Sequence, residues 1–142
     1  MKKRGLVWFK NDLRLHDNEA LYRAQDECEE LLFCYCVEKK SFEKLDLGFR
    51  KADVIRFKFL QQSVLNLQEN LEKLNGHLII GEISAVVTLH ILVADYEITD
   101  IYAEEEYASE ELTLIEQVKK VLPNINFHFY WGKTLYHKDD IP

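Results

Sequence analysis

The sequence predicts an α/β fold: an open parallel five-stranded sheet, order 3-2-1-4-5, with helices on both faces. Two observations carry this. Short apolar runs alternate five times with polar or helix-periodic stretches, which implies right-handed crossovers between parallel strands. The clearest run, Leu31–Val37, is apolar throughout rather than alternating, as expected of a strand buried on both faces. The arrangement is Rossmann-like, with its switch point between strands one and four.

The first strand is the run Leu6–Phe9, cut off at Lys10. Behind it, nine positions hold Lys10, Asn11, Asp12, Arg14, His16, Asp17 and Asn18, with only Leu13 and Leu15 as core anchors. Asp17-Asn18-Glu19 reads as a helix start, with a capping side chain and an acidic first turn. Ala20, Leu21, Ala24 and Cys28 supply that helix's inner face. After strand two, residues 38–48 form a polar loop. Lys51–Leu74 is the longest helix, with Val54, Phe57, Leu60, Val64, Leu67, Leu71 and Leu74 on one face. Asn75-Gly76 ends it as an αL cap.

His77–Ile80 is strand three, and Ser84 caps a helix reaching about Val93. Ile98–Ala103 is strand four. The acidic loop Glu104-Glu105-Glu106 follows, and Ser109 is expected to cap the next helix, with Glu110 and Glu111 at its positive end. Leu112, Ile115, Val118 and Leu122 form its inner face. Pro123-Asn124 breaks it, Ile125–Trp131 is strand five, and residues 132–142 are a tail. In this order the loops 10–18 and 104–109 face each other across one crevice, where open α/β sheets bind ligands.

With 142 residues, 47% of them hydrophobic, the chain has the size of one domain with a full core. No apolar window is long enough for a membrane span. The basic start Met1–Arg4 precedes a run too short for a signal peptide. With 25 acidic against 18 basic residues and a net charge of −7, the chain alone lacks the charge for tight nucleic-acid binding. Cys28, Cys34 and Cys36 read as buried, reduced thiols of a cytoplasmic protein.

The motifs exclude more than they assign. Neither G-x-G-x-x-G nor a Walker loop follows strand one, which argues against a pyrophosphate cradle. The five histidines form no H-E-x-x-H pair and no zinc spacing with cysteine, so no metal site is expected. No catalytic nucleophile or acid–base grouping stands out. Glu104–Glu106 is either a solvated charge run or the source of one carboxylate turned into the crevice, where it could accept from the N–H donors of a pterin-like heterocycle. Asp12 and Arg14 are either a ligand clamp or a structural ion pair; for Arg14 the structural pair is the expectation.

Trp8-Phe9-Lys10-Asn11-Asp12-Leu13-Arg14, followed by Asp17-Asn18, closely resembles the opening signature of DNA photolyases and cryptochromes, where Arg is usual at Lys10. Gly48-Phe49-x-Lys51, Arg56-x-x-Phe59-Leu60, Glu106-x-x-Ser109-Glu110-Glu111 and the ending Trp131–Pro142 resemble the cryptochrome DASH branch. Departures are Lys10, Asp53 where Gly is common, and a turn at Gly81–Ser84 without the usual Pro. The resemblance implies that residues 1–131 are the family's N-terminal α/β domain and that 132–142 begin the interdomain linker. The C-terminal helical domain that binds flavin adenine dinucleotide (FAD) is not in this sequence.

It further implies a light-harvesting role. An antenna, commonly 5,10-methenyltetrahydrofolate, would pass excitation to FAD for repair of cyclobutane pyrimidine dimers or for blue-light signalling. By the same resemblance Glu106 is the pterin-binding carboxylate and Ser109 and Glu110 are further folate contacts. Phe9, Lys10, Asn11, Asp12 and Glu38 would line the same cleft. Damaged DNA would be met only by the full-length protein, and this chain alone would be non-catalytic and hold folate weakly or not at all. The alternative is a free-standing nucleotide-binding or protein-interaction module on the same scaffold.

Overall fold

A computed structural model describes residues 2–38 and 54–140. Strands β1 (Arg4–Phe9), β2 (Glu30–Cys36), β3 (Leu78–Gly81), β4 (Asp100–Glu104) and β5 (Asn126–Tyr130) form one sheet. Its order is β3-β2-β1-β4-β5 and every pairing is parallel. Helices α1 (Glu19–Glu27), α2 (Val54–Glu72), α3 (Ala85–Tyr96) and α4 (Ser109–Val121) connect the strands. The predicted order is therefore the observed one. The reach of the predicted long helix into 51–53, and the loop residues 39–48, lie outside the described residues.

Alternation along β1 divides two cores. Leu6 and Trp8 join Cys34, Ile101 and Ala103 under α3 and α4, whereas Val7 and Phe9 join Tyr35 and Tyr102 under α1 and α2. A central strand sandwiched in this way must be apolar at every position, and β1 is buried from Gly5 to Phe9. The thiols of Cys34 and Cys36 share one face of β2 with their sulfurs 3.7 Å apart, and all three cysteines are free. No described helix is long and apolar enough to cross a membrane.

Local signals set most helix ends. Asn18 caps α1, its Oδ1 accepting from Leu21 N at 3.1 Å. Ser84 caps α3 by accepting from Val87 N. Asn75 takes the left-handed conformation, φ 59°, behind α2. One cap differs from expectation. Ala108 is the N-cap of α4, with no side-chain hydrogen bond, and Ser109 is the first helical residue.

Two inner faces are also shorter than the periodicity suggests. In α2, Val64, Leu67 and Leu71 are buried while Val54, Phe57 and, just past the helix end, Leu74 are exposed. The 19 residues of α2 span about 28 Å at ~1.5 Å each, against about 13 Å for the 4 residues of its edge strand β3 at ~3.3 Å each, so the sheet can cover only part of the helix. In α4, Ile115, Val118 and Leu122 are buried but Leu112, in the first turn, is exposed.

Candidate functional site

The site is built where β1 and β4 end side by side. Lys10 leaves β1 and reaches across to the segment behind β4. Its Nζ lies 2.9 Å from Glu106 Oε1 and donates to the Glu104 carbonyl at 2.6 Å. The same ammonium stands 5.3 Å from the Trp8 ring centroid, a cation–π distance. On the far side of the carboxylate, Lys133 Nζ sits 2.9 Å from Glu106 Oε2 and 3.0 Å from Glu104 Oε2. Two ammonium and two carboxylate groups thus balance each other with side chains 4–14% exposed.

That balance is what permits the burial, since an unpaired charge there would be prohibitive. Burial holds the Lys10 ammonium below its ordinary pKa even though Glu106 opposes the shift. Burial also acts to lower Lys133, but the hydrogen-bonded carboxylates of Glu106 and Glu104 outweigh it and raise that pKa above the usual lysine value. Glu106 Oε1 has Lys10 at ion-pair distance, but no hydrogen-bond donor among the described residues is aligned with it.

The β1 loop is held from within. Asp12, 3% exposed, accepts from Lys10 N at 2.9 Å through Oδ1 and from Asn18 Nδ2 at 3.1 Å through Oδ2. Asn18 therefore caps α1 and pins Asp12 with one side chain. The expected Asp12–Arg14 ion pair is not formed. Arg14 instead donates to the Asp17 carbonyl at 3.1 and 3.3 Å, closing a turn in which Asp17 takes φ 49°.

A cleft of about 490 Å³ opens over this network. Of the residues singled out in the sequence, Lys10, Asn11, Arg14, Glu38, Glu106 and Glu110 line it. Phe9 is wholly buried in the α1/α2 core, Asp12 lies inside its loop, and Ser109 is exposed on the first turn of α4; none of the three lines the cleft. The lining residues that the sequence reading missed are the aromatic rings of Trp8, Tyr35 and Phe59 and, from α2, Arg56 and Ser63. The positions of Arg56, Phe59 and Ser63 follow from the crossing of α2 over the sheet, which local periodicity does not specify. Lys133 was missed as well. Its only signal in the sequence is a lysine in the tail able to answer the charge run Glu104–Glu106.

A volume of this size suits a small organic ligand, with the exposed ring of Phe59 for stacking and a few polar groups for orientation. The acidic side, Glu106, Glu110 and Glu111, suits N–H donors or a delocalised cation, and is a poor seat for phosphate. Among the described residues no group of His, Cys, Asp and Glu could hold a metal ion.

At the opposite end of the sheet lies a second polar cluster. Asp100, 3% exposed, meets His128 Nε2 at 2.8 Å and accepts from the Thr99 hydroxyl at 2.7 Å. The His128 ring stacks on Tyr102 with centroids 4.5 Å apart, and the Tyr102 hydroxyl donates to Glu27 at 2.8 Å. These bonds close the amino ends of the strands, away from the cleft.

Comparison with known proteins bears on both fold and site. The sequence matches the DNA photolyase family over residues 5–142. It is 33% identical to the blue-light photoreceptor PHR2 of Arabidopsis thaliana, over 100% of this chain and 32% of that protein. It is 37% identical to a cryptochrome DASH of Synechocystis sp., over 96% of this chain and 28% of that protein. The structure of the Synechocystis sp. PCC6803 cryptochrome matches 100% of this chain and 30% of its own, with a TM-score of 0.92 at 35% identity. An archaeal photolyase from Sulfolobus tokodaii matches 98% of this chain and 32% of its own, with a TM-score of 0.85; at 23% identity this is a likeness of fold. The chain spans about a third or less of the length of these relatives. The strand order, the residues that open the crevice and the extent of the match agree: the chain belongs to the DNA photolyase family, with cryptochrome DASH proteins among its relatives.

Proposed function

We propose that this chain is the chromophore-binding antenna domain of a cryptochrome DASH-like photolyase, and that its cleft takes 5,10-methenyltetrahydrofolate. One observation carries the reading. Glu106 turns out of the acidic run into the cleft wall, 4% exposed, with Oε1 lacking an aligned donor. A carboxylate offers about four acceptor sites, and two lysines leave room for a pterin's amino and ring N–H groups. Glu110 and Glu111 favour the cationic bridge of this folate, while Phe59 offers an exposed ring to its planar system.

When bound, such a folate absorbs near-ultraviolet light and passes the excitation to a flavin. The work of this chain is to hold, orient and shield it. FAD, damaged DNA and the choice between repair and signalling belong to the longer protein that the relatives' lengths suggest. The acidic balance of this chain fits a domain that leaves the DNA contact to another.

The test is a titration of the purified chain with 5,10-methenyltetrahydrofolate, followed by absorbance, for the wild type and for Glu106→Gln. Gln keeps the shape of the side chain but replaces half of the acceptor with a donor. Binding is expected to weaken by about tenfold or more, the scale of one charge-assisted hydrogen bond. Equal affinities would remove Glu106 from the site.

A further inference from the structure

The tail behind β5 folds back onto the segment behind β4, and successive residues of that segment each meet a partner near it. Lys133 takes Glu104 and Glu106, Lys138 pairs with Glu105, and the Trp131 ring lies 6.1 Å from Tyr107. Glu105 N also donates to the carbonyl of Tyr130, the last residue of β5, at 2.7 Å. At Gly132 a Cβ would lie 3.0 Å from Glu104 Oε1, so the chain passes tightly over that carboxylate. The tail holds its own shape through Trp131 Nε1, which donates to Thr134 Oγ1 at 2.8 Å.

Lys133 differs from Lys10 in one respect. Lys10 lines the cleft beside Glu106, whereas Lys133 does not line it and reaches Glu106 from behind. A ligand seated in the cleft would touch the carboxylate and not the ammonium that holds it. Removing that ammonium leaves the Glu104 carboxylate without its cation beside Glu106, which keeps Lys10, and like charges in a poorly solvated place move apart.

We propose that Lys133 is a positioning residue for the antenna site: by anchoring Glu106 Oε2 it holds that carboxylate in the cleft wall, and the tail from Trp131 is the strap that carries it. This rests on the reading of Glu106 as the ligand's acceptor. The strap gives the residues beyond β5 a part in ligand geometry that their exposure alone does not suggest.

The test compares Lys133→Met, Lys133→Arg and Lys138→Met in this chain. Lys138→Met removes a more exposed ion pair of the same tail without touching Glu106. Two readouts are taken: titration with 5,10-methenyltetrahydrofolate, and hydrogen exchange of the amides from 105 to 108, with β1 amides reporting global folding. Lys133→Met is expected to weaken folate binding by about tenfold, with Lys133→Arg restoring most of it and Lys138→Met close to wild type. Exchange at 105–108 is expected to quicken in Lys133→Met alone.

Folate binding unchanged in Lys133→Met but lost in Glu106→Gln would overturn the proposal and leave the antenna reading intact. If Glu106→Gln binds as well as wild type, the antenna reading fails; in that case, and where this chain alone takes up too little folate to titrate, exchange decides the positioning role. Faster exchange in Lys133→Met than in Lys138→Met supports that role, and equal exchange overturns it.

Discussion

Lys10 and Glu106 meet across the crevice between the ends of β1 and β4, nitrogen to oxygen 2.9 Å, one just behind each of the two strands that flank the switch point. The pair joins two loops that are 96 residues apart in sequence and gives the cleft its polar floor. Lys10→Met leaves Lys133 on Glu106 but takes the donor from the Glu104 carbonyl, so it is expected to lower stability by about 1–3 kcal/mol. Lys10→Arg, the residue usual in the family, keeps the charge and should stay within about 1 kcal/mol of wild type. Urea unfolding at neutral pH checks both. Lys10 also sets a pH dependence. Its folded pKa lies below the unfolded 10.5, so wild-type stability should gain as pH rises through the window just under 10.5. The gain should be absent from Lys10→Met.

Asn18 performs two tasks, capping α1 and holding Asp12. Asn18→Ala removes the cap, about 1 kcal/mol, and leaves a buried Asp12 oxygen without its donor, about 1–3 kcal/mol more. Asn18→Ser keeps an acceptor for the Leu21 amide and should fall between Ala and wild type. Thermal unfolding of the three proteins gives the order; equal melting points would show that the loop does not depend on this side chain.

The N-terminus of α4 gives a reversed pair of outcomes. Because Ala108 occupies the cap position, Ala108→Ser should stabilise by about 0.5–1 kcal/mol. Ser109→Ala should change stability by no more than about 0.5 kcal/mol, since Ala is well suited to a first-turn position. Denaturant midpoints decide; a large loss in Ser109→Ala would show that the serine side chain caps in solution.

At the other end of the sheet, burial tends to raise the Asp100 pKa, but hydrogen bonds from Thr99 and His128 and the charge of Lys3 outweigh it and hold the group below its ordinary 3.8. The folded value lies under the unfolded one, so the contribution to stability is complete above about pH 4 and is lost as pH falls through the folded value. Asp100→Asn should therefore be less stable than wild type at neutral pH, with the gap closing below about pH 4. Stability measured against pH for the two proteins tests the sign.

How much of this was legible in the sequence depends on whether the signal is local. The strand runs, the caps at Asn18 and Ser84 and the αL end at Asn75 are written in neighbouring residues, and the sheet order follows from their alternation. The expected cap at Ser109 failed because the helix starts at that residue, one position earlier than expected, and leaves Ala108 at the cap. The burial of Val54, Phe57 and Leu112 was overestimated because periodicity gives the face of a helix and not how far the sheet extends beneath it. At the site, topology brought the loops 10–18 and 104–109 together, while the choice of Glu106 within the acidic run came from the family resemblance. Lys133 could not be placed there, because nothing local says that the tail turns back, and Phe59 and Arg56 depend on where α2 crosses the sheet.

The central claim is that Glu106 receives a chromophore in this cleft. The most direct measurement is an absorbance titration of the 142-residue chain with 5,10-methenyltetrahydrofolate, at equilibrium and without desalting, set beside the same titration of Glu106→Gln. The account predicts a saturable change in the near-ultraviolet band for the wild type and binding weaker by about tenfold or more for the variant. Identical titrations of the two proteins would contradict it.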